Sequence, residues 1–115
     1  MKQGDSPIQG IRWKDRAVVV DVVGDIDLHS SPQFQDALLR LLDDKPDRIV
    51  VNLARVAYMD SSGIASLVKL LSRVRRSGSA MFLVGLNDRT RSLLEITRLD
   101  SVFDIRATEE EALSV

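Results

Sequence analysis

An α/β fold with a mostly parallel sheet and an antiparallel opening hairpin is predicted by three features of the sequence. Residues 17–23, 48–53 and 81–86 are near-continuous apolar runs of strand length, as expected of strands covered on both faces. Between them lie segments with apolar residues at helical spacing, bounded by start and stop signals. Strands alternating with helices imply parallel βαβ units with right-handed crossovers, and such sheets gather functional groups at the carboxyl ends of their strands.

Residues 1–7 are polar, carry Gly4 and Pro7, and read as a flexible end before a single domain spanning residues 8–115. Ile8, Ile11 and Trp13 mark a short edge strand. Lys14-Asp15-Arg16 is a turn short enough to send the chain back antiparallel along 17–23, and Gly24-Asp25-Ile26-Asp27-Leu28 ends that strand. Ser30 or Ser31 before Pro32 starts a helix, because proline has the φ of a first helical residue and needs no N–H there. Phe34, Ala37, Leu38, Leu41 and Leu42 form its apolar face, and Pro46 prevents its continuation. A strand over 48–53 leads to a second helix over 62–76, with Ile64, Leu67, Val68, Leu71 and Val74 as its face and Ser77-Gly78-Ser79 as its stop. After the strand 81–86, Asn87-Asp88 caps a third helix with a weaker apolar pattern (Leu93, Leu94, Ile96, Thr97, Leu99). Residues 102–105 form a short last strand, and 108–113 a terminal helical turn with its acids at the favoured end.

The 115 residues suffice for one domain with a real core, and 44% hydrophobic with 29% charged residues is ordinary globular usage. A net charge of −1 supplies no general attraction to nucleic acid or an anionic membrane, so neither is expected as a partner. Without cysteine there is no disulfide and no thiolate metal site, and without a Gly-rich phosphate loop no nucleotide cofactor is assigned. No apolar run has membrane-spanning length and the N-terminus lacks the apolar core of a secretion signal, so a cytoplasmic location is expected.

The centre of the chain is the stretch 56–71, where Asp60-Ser61-Ser62-Gly63 stands between a strand and a helix. The first turn of a helix has backbone N–H groups without intrahelical partners and a partial positive charge. Ser or Asp there caps the helix, Gly63 permits close approach of another backbone or a ligand, and a phosphate would be favoured. The site reads as a switch with Ser61 as its moving part. Ser62 is the better structural cap or a secondary phosphosite. Asp25, Asp27 and His29 fall on the same rim as Asp60, Ser61 and Ser62 by the strand-end rule. Asp25 and Asp27 read equally as partner-facing acids or as strand-end caps.

With Gly24-Asp25-Ile26-Asp27, Met59-Asp60-Ser61-Ser62-Gly63-Ile64, Leu83-Val84-Gly85-Leu86 and the run from Leu93 to Phe103, the sequence resembles the STAS domains of the bacterial anti-sigma factor antagonist (anti-anti-sigma factor) family. The resemblance extends from about Ile8 to Leu113. It implies the STAS fold, a single-wound mixed sheet with helices mainly on one side. It also implies a partner switch without catalysis by the chain itself. The partner is an anti-sigma factor that is also a serine kinase, a Bergerat-fold ATPase, and the serine after the Asp of the motif, here Ser61, is its target. A metal-dependent serine phosphatase reverses the modification. On this reading the docking surface comprises Asp25, Asp27, His29, Asp60, Ser61, Ser62 and Gly63; along the second helix Ala65, Ser66, Lys69 and Arg73 read equally as its continuation or as part of a solvated face.

Three rivals remain at this stage. A STAS subunit of a lipid-transport ABC complex would bind its ATPase without phosphorylation. A small serine hydrolase could use Ser61, His29 and Asp25 or Asp27, although no Gly-x-Ser-x-Gly elbow is present. A receiver domain would need an adjacent acidic pair at the first strand end and a later lysine, and neither stands in place.

Overall fold

In the computed structural model, which describes residues 7–114, the elements run β1 (Ile8–Lys14), β2 (Ala17–Ile26), α1 (Ser31–Arg40), a 3-10 turn (Leu41–Asp44), β3 (Arg48–Met59), α2 (Ser61–Ser77), β4 (Ala80–Val84), α3 (Asp88–Ile96), β5 (Asp104–Arg106) and α4 (Glu109–Ser114). The strands lie side by side in chain order, with β1 antiparallel to β2 and every later pair parallel. This is the single-wound mixed sheet the sequence predicts. Residues 1–6 of the expected flexible end lie outside the described residues; Pro7 is buried, and its carbonyl accepts from the Val23 N–H at 2.8 Å. Among the described residues no helix is long and apolar enough to cross a membrane.

Alternation along the strands builds two unequal apolar layers. Val18, Val20, Val22, Ile49, Val51, Leu53 and Leu83 face Phe34, Leu38, Leu67, Leu70, Val74 and Leu94 of α1, α2 and α3, forming the main core. On the other face Val19, Val50, Phe82 and Val84 form a smaller apolar cluster with Ala112 and Leu113 of α4. The helices thus lie mainly on one side, and the terminal helix closes the back.

Two strands exceed their expected lengths. β2 continues through Gly24, Asp25 and Ile26, and β3 runs six residues beyond Leu53 to Met59. Their pairing shifts register between Asp21 and Val23 and again between Gly24 and Asp25. Each irregularity resets the alternation, so the last buried positions of β3 are Leu53, Val56 and Met59, spaced by three. A three-residue spacing does not read as a strand in sequence. The consequence is functional, because the extension carries Asp25 opposite Tyr58 and Ile26 opposite Met59. β4 in turn ends at Val84 rather than Leu86, since Gly85 turns away at φ 74° and a Cβ there would stand 2.9 Å from the Ala54 backbone nitrogen.

A charged clasp holds α4 to the back of the sheet. The Arg12 guanidinium meets Asp21 of β2 at 2.8 Å on one edge and both Glu109 carboxylate oxygens at 2.8 Å on the other. Asn52 adds an amide donor to Glu109 at 3.2 Å, and Arg48 donates to the carbonyls of Ala112 and Leu113. Arg12, then Asn52, hold the Glu109 carboxyl below the usual carboxylate range against a smaller desolvation cost. A depressed folded pKa means the contribution is complete above the unfolded value of about 4.3 and fades as pH falls through the folded one. Amide exchange across residues 109–114 is therefore expected to accelerate relative to the core as pH is lowered below about 4. Arg12→Ala should give that fast exchange at neutral pH; unchanged protection of α4 in this variant would refute the clasp.

Candidate functional site

The extended ends of β2 and β3 bring the sequence-predicted rim together around Asp60. Asp60 leaves β3 in an extended conformation and is the N-cap of α2. Its N–H donates to the Ile26 carbonyl at 3.0 Å, and its own carbonyl accepts from the N–H groups of Gly63 and Ile64 at 3.1 and 3.2 Å. Its carboxylate accepts the Ser62 hydroxyl at 2.6 Å and the Ser62 N–H at 2.9 Å. The Ser62 hydroxyl is the largest influence keeping this carboxyl below its ordinary range, with the N–H groups of Ser62, Gly63 and Leu28 adding to it. One residue thus joins the β2–α1 loop, the end of β3 and the start of α2.

The cap is therefore Asp60, and the helix begins at Ser61 rather than Ser62. Ser62 is locked as a donor to that cap. Ser61 is exposed, and its hydroxyl has no hydrogen-bond partner among the described residues. Two adjacent serines are thus distinguished by geometry, one structural and one free.

Several expected docking residues have other tasks. Gly63 is buried, and a Cβ there would stand 2.6 Å from Met59 Cγ and 2.7 Å from Ile26 Cγ2. Its role is close packing of α2 on the ends of β2 and β3, the close approach within the chain that the sequence allowed, and its burial takes it off the exposed rim. Ser66 is 2% exposed, its hydroxyl donating to the carbonyls of Ser62 at 3.2 Å and Ser31 at 3.4 Å. It belongs to the α1–α2 contact and is withdrawn from the docking surface. Asp27 is a loop cap: its carboxylate accepts from the N–H groups of His29 and Ser30 at 2.9 and 3.1 Å. Asp25 and His29 are exposed on the same rim, while Ala65, Lys69 and Arg73 continue from Ser61 along the exposed stripe of α2.

No hydrolytic triad is assembled. Asp27 serves backbone N–H groups, and among the described residues neither the His29 imidazole nor the Ser61 hydroxyl makes a hydrogen bond.

Beside Ser61 opens a groove of about 680 Å³ between the start of α2 and α3, lined by Tyr58, Met59, Ser61, Arg89, Leu93 and Ile96 among others. Ile96 is 78% exposed, as is Leu28 on the loop that donates to Asp60. Two fully presented aliphatic side chains beside one free hydroxyl form a surface suited to a protein partner. Sequence reasoning missed both residues. For Ile96 the signal was present, because Leu93, Leu94 and Ile96 span too wide an arc for all three to face the core.

The STAS domain family model matches residues 11–112. The chain belongs to the STAS domain family. It is 30% identical over 97 residues to the anti-sigma-B factor antagonist of Staphylococcus aureus, covering 84% of this chain and 90% of that one. An anti-sigma factor antagonist from Mycobacterium paratuberculosis has the same fold at a TM-score of 0.86, with 25% identity over 99% of this chain and 97% of that one. The Bacillus cell fate determinant SpoIIAA in its phosphorylated form aligns at a TM-score of 0.70 with 21% identity, covering 91% of this STAS chain and 96% of its own. Its unphosphorylated form gives the same TM-score.

The Asp60 cap and the glycine contact beneath it set measurable stabilities. Asp60→Ala removes the acceptor of the first turn and is expected to cost about 1 kcal/mol. Gly63→Ala forces Met59 and Ile26 aside and is expected to cost about 1–3 kcal/mol. Urea unfolding of the two variants measures both; a Gly63→Ala protein as stable as the parent would refute the close-packing role.

Proposed function

We propose that this STAS protein is an anti-sigma factor antagonist that docks on a serine-kinase anti-sigma factor through the rim around Ser61, and that phosphorylation of Ser61 releases it. The observation carrying this reading is the free, exposed Ser61 hydroxyl at the start of α2, beside an apolar groove and the presented side chains of Leu28 and Ile96. The names of its relatives support the same partner class. The kinase is a Bergerat-fold ATPase that brings the ATP, a metal-dependent phosphatase resets the switch, and the STAS chain is substrate and ligand without catalysing either step.

The switch follows from charge. A phosphate adds roughly −1.5 to −2 charge and three acceptor oxygens. At the start of a helix that charge is compatible with the fold, and SpoIIAA has been solved in both states with equal likeness to this chain. Against a partner surface matched to a neutral serine and anionic Asp60 it adds repulsion and desolvation cost. Exposed Asp25 on the same rim adds to the repulsion. Each 1.4 kcal/mol or so weakens the complex tenfold.

Calorimetric titration against the cognate kinase, found by affinity capture from the host, tests this. Ser61→Ala should bind like the parent and take up no phosphate, and Ser61→Asp should bind at least about tenfold more weakly. Leu28→Ser and Ile96→Ser should each weaken binding about tenfold or more without lowering thermal stability. Equal affinity of the Ala and Asp variants would overturn the charge mechanism. Capture of an ABC transporter ATPase with no phosphorylated pool would overturn the function.

A further inference from the structure

Among the described residues none of the groove's charged side chains forms an ion pair, and one of them is a cation. Arg89 is the second residue of α3 and faces the same groove as Ser61. It forms no ion pair or hydrogen bond with the described residues. Its position is electrostatically unfavourable, because the first turn of a helix repels cations. The other charged groups lining the groove are acids: Asp60, engaged with Ser62 and Leu28, and Asp88, the first residue of α3. Asp25 at the end of β2 and Asp27 and His29 on the β2–α1 loop complete the rim.

We propose that Arg89 receives the phosphate placed on Ser61, so that modification closes the chain's own docking groove. A guanidinium presents a fork of donors to phosphate oxygens, and such charge-assisted pairs are about twice as strong as neutral ones. The two groups line the same groove, Ser61 at the start of α2 and Arg89 at the start of α3, with Tyr58 of β3 and Ile96 of α3 in the same lining. A phosphoserine drawn to Arg89 covers that apolar lining. Release then has two components, repulsion of the partner and loss of the surface it binds. The idea rests on Ser61 being the modified residue, as proposed above.

The test uses the full chain with phosphoserine installed at position 61 during translation, which removes any dependence on the kinase. Phosphorus NMR is followed through pH in this protein and in its R89Q counterpart, after matched thermal stabilities show that both unmodified chains fold. Arg89 should lower the second phosphate pKa by about half a unit relative to R89Q, with R89K between them. Coincident titrations would overturn the assignment. In binding to the kinase, the affinity lost on phosphorylation, taken as a ratio within each background, should be about tenfold smaller for R89Q than for the parent chain. An equal phosphorylation penalty in the two backgrounds would overturn the closure of the groove. A kinase that leaves Ser61 unmodified would refute the proposed function without touching the phosphorus titration.

Discussion

Everything at the functional end depends on Asp60 being held at the meeting point of two strands, one loop and one helix. Its backbone completes the pairing of β3 with β2, its carbonyl begins α2, and its carboxylate gathers N–H groups that would otherwise lack partners. An anionic acceptor suits this place because the helix start is positive and because charge-assisted hydrogen bonds are stronger than neutral ones. Gly63, packed against Met59 and Ile26, brings the helix close enough for the cap to work. The site is therefore rigid at its base.

Rigidity at Asp60 is what makes neighbouring serines unequal. A serine at the first turn of a helix ordinarily finds a backbone donor or acceptor nearby, and its hydroxyl then loses reactivity as a separate group. Here Asp60 takes the hydroxyl of Ser62, so the structural need is met one position beyond Ser61. Ser61 is left exposed on a fixed backbone, where adding a bulky dianion requires no rearrangement of the core. A modification that spares the fold can act as a reversible signal, whereas one that unfolds its carrier would be confounded with degradation.

Much of this was legible in the sequence for a definite reason. The strand-to-helix junction is punctuated by residue types with strong local preferences, so Asp60 to Gly63 stood out without any tertiary information. The opening hairpin and the parallel units followed from alternating apolar runs and short connections, and the single-wound arrangement from the family resemblance. What escaped was set by tertiary contacts. The ends of β2 and β3 were hidden because register shifts convert a period of two into a spacing of three. Ser66 shares the polar character of an exposed position, yet the approach of α1 places it under the Ser31 carbonyl. Leu28 and Ile96 failed to announce themselves because an apolar residue in sequence is read as core until the packing shows the core already filled.

The two faces of the sheet divide the labour between change and constancy. On the front, α1, α2 and α3 bury the large aliphatic layer and present the switch where their ends meet the strand termini. On the back, six residues of α4 close a small apolar patch, held by Arg12 of β1 and by Arg48 and Asn52 of β3. Arg48 and Arg106 also stack over the Phe82 ring, at 5.7 and 5.6 Å from its centroid. Arg12 and Arg48 tie α4 to β1 and β3, and Arg106 of β5 covers the Phe82 ring beside them. The back fastens the chain while the front carries the exposed serine. Because the clasp and the switch share no residue, a phosphate arriving at Ser61 alters the charge of one rim and leaves the anchoring of the sheet unchanged.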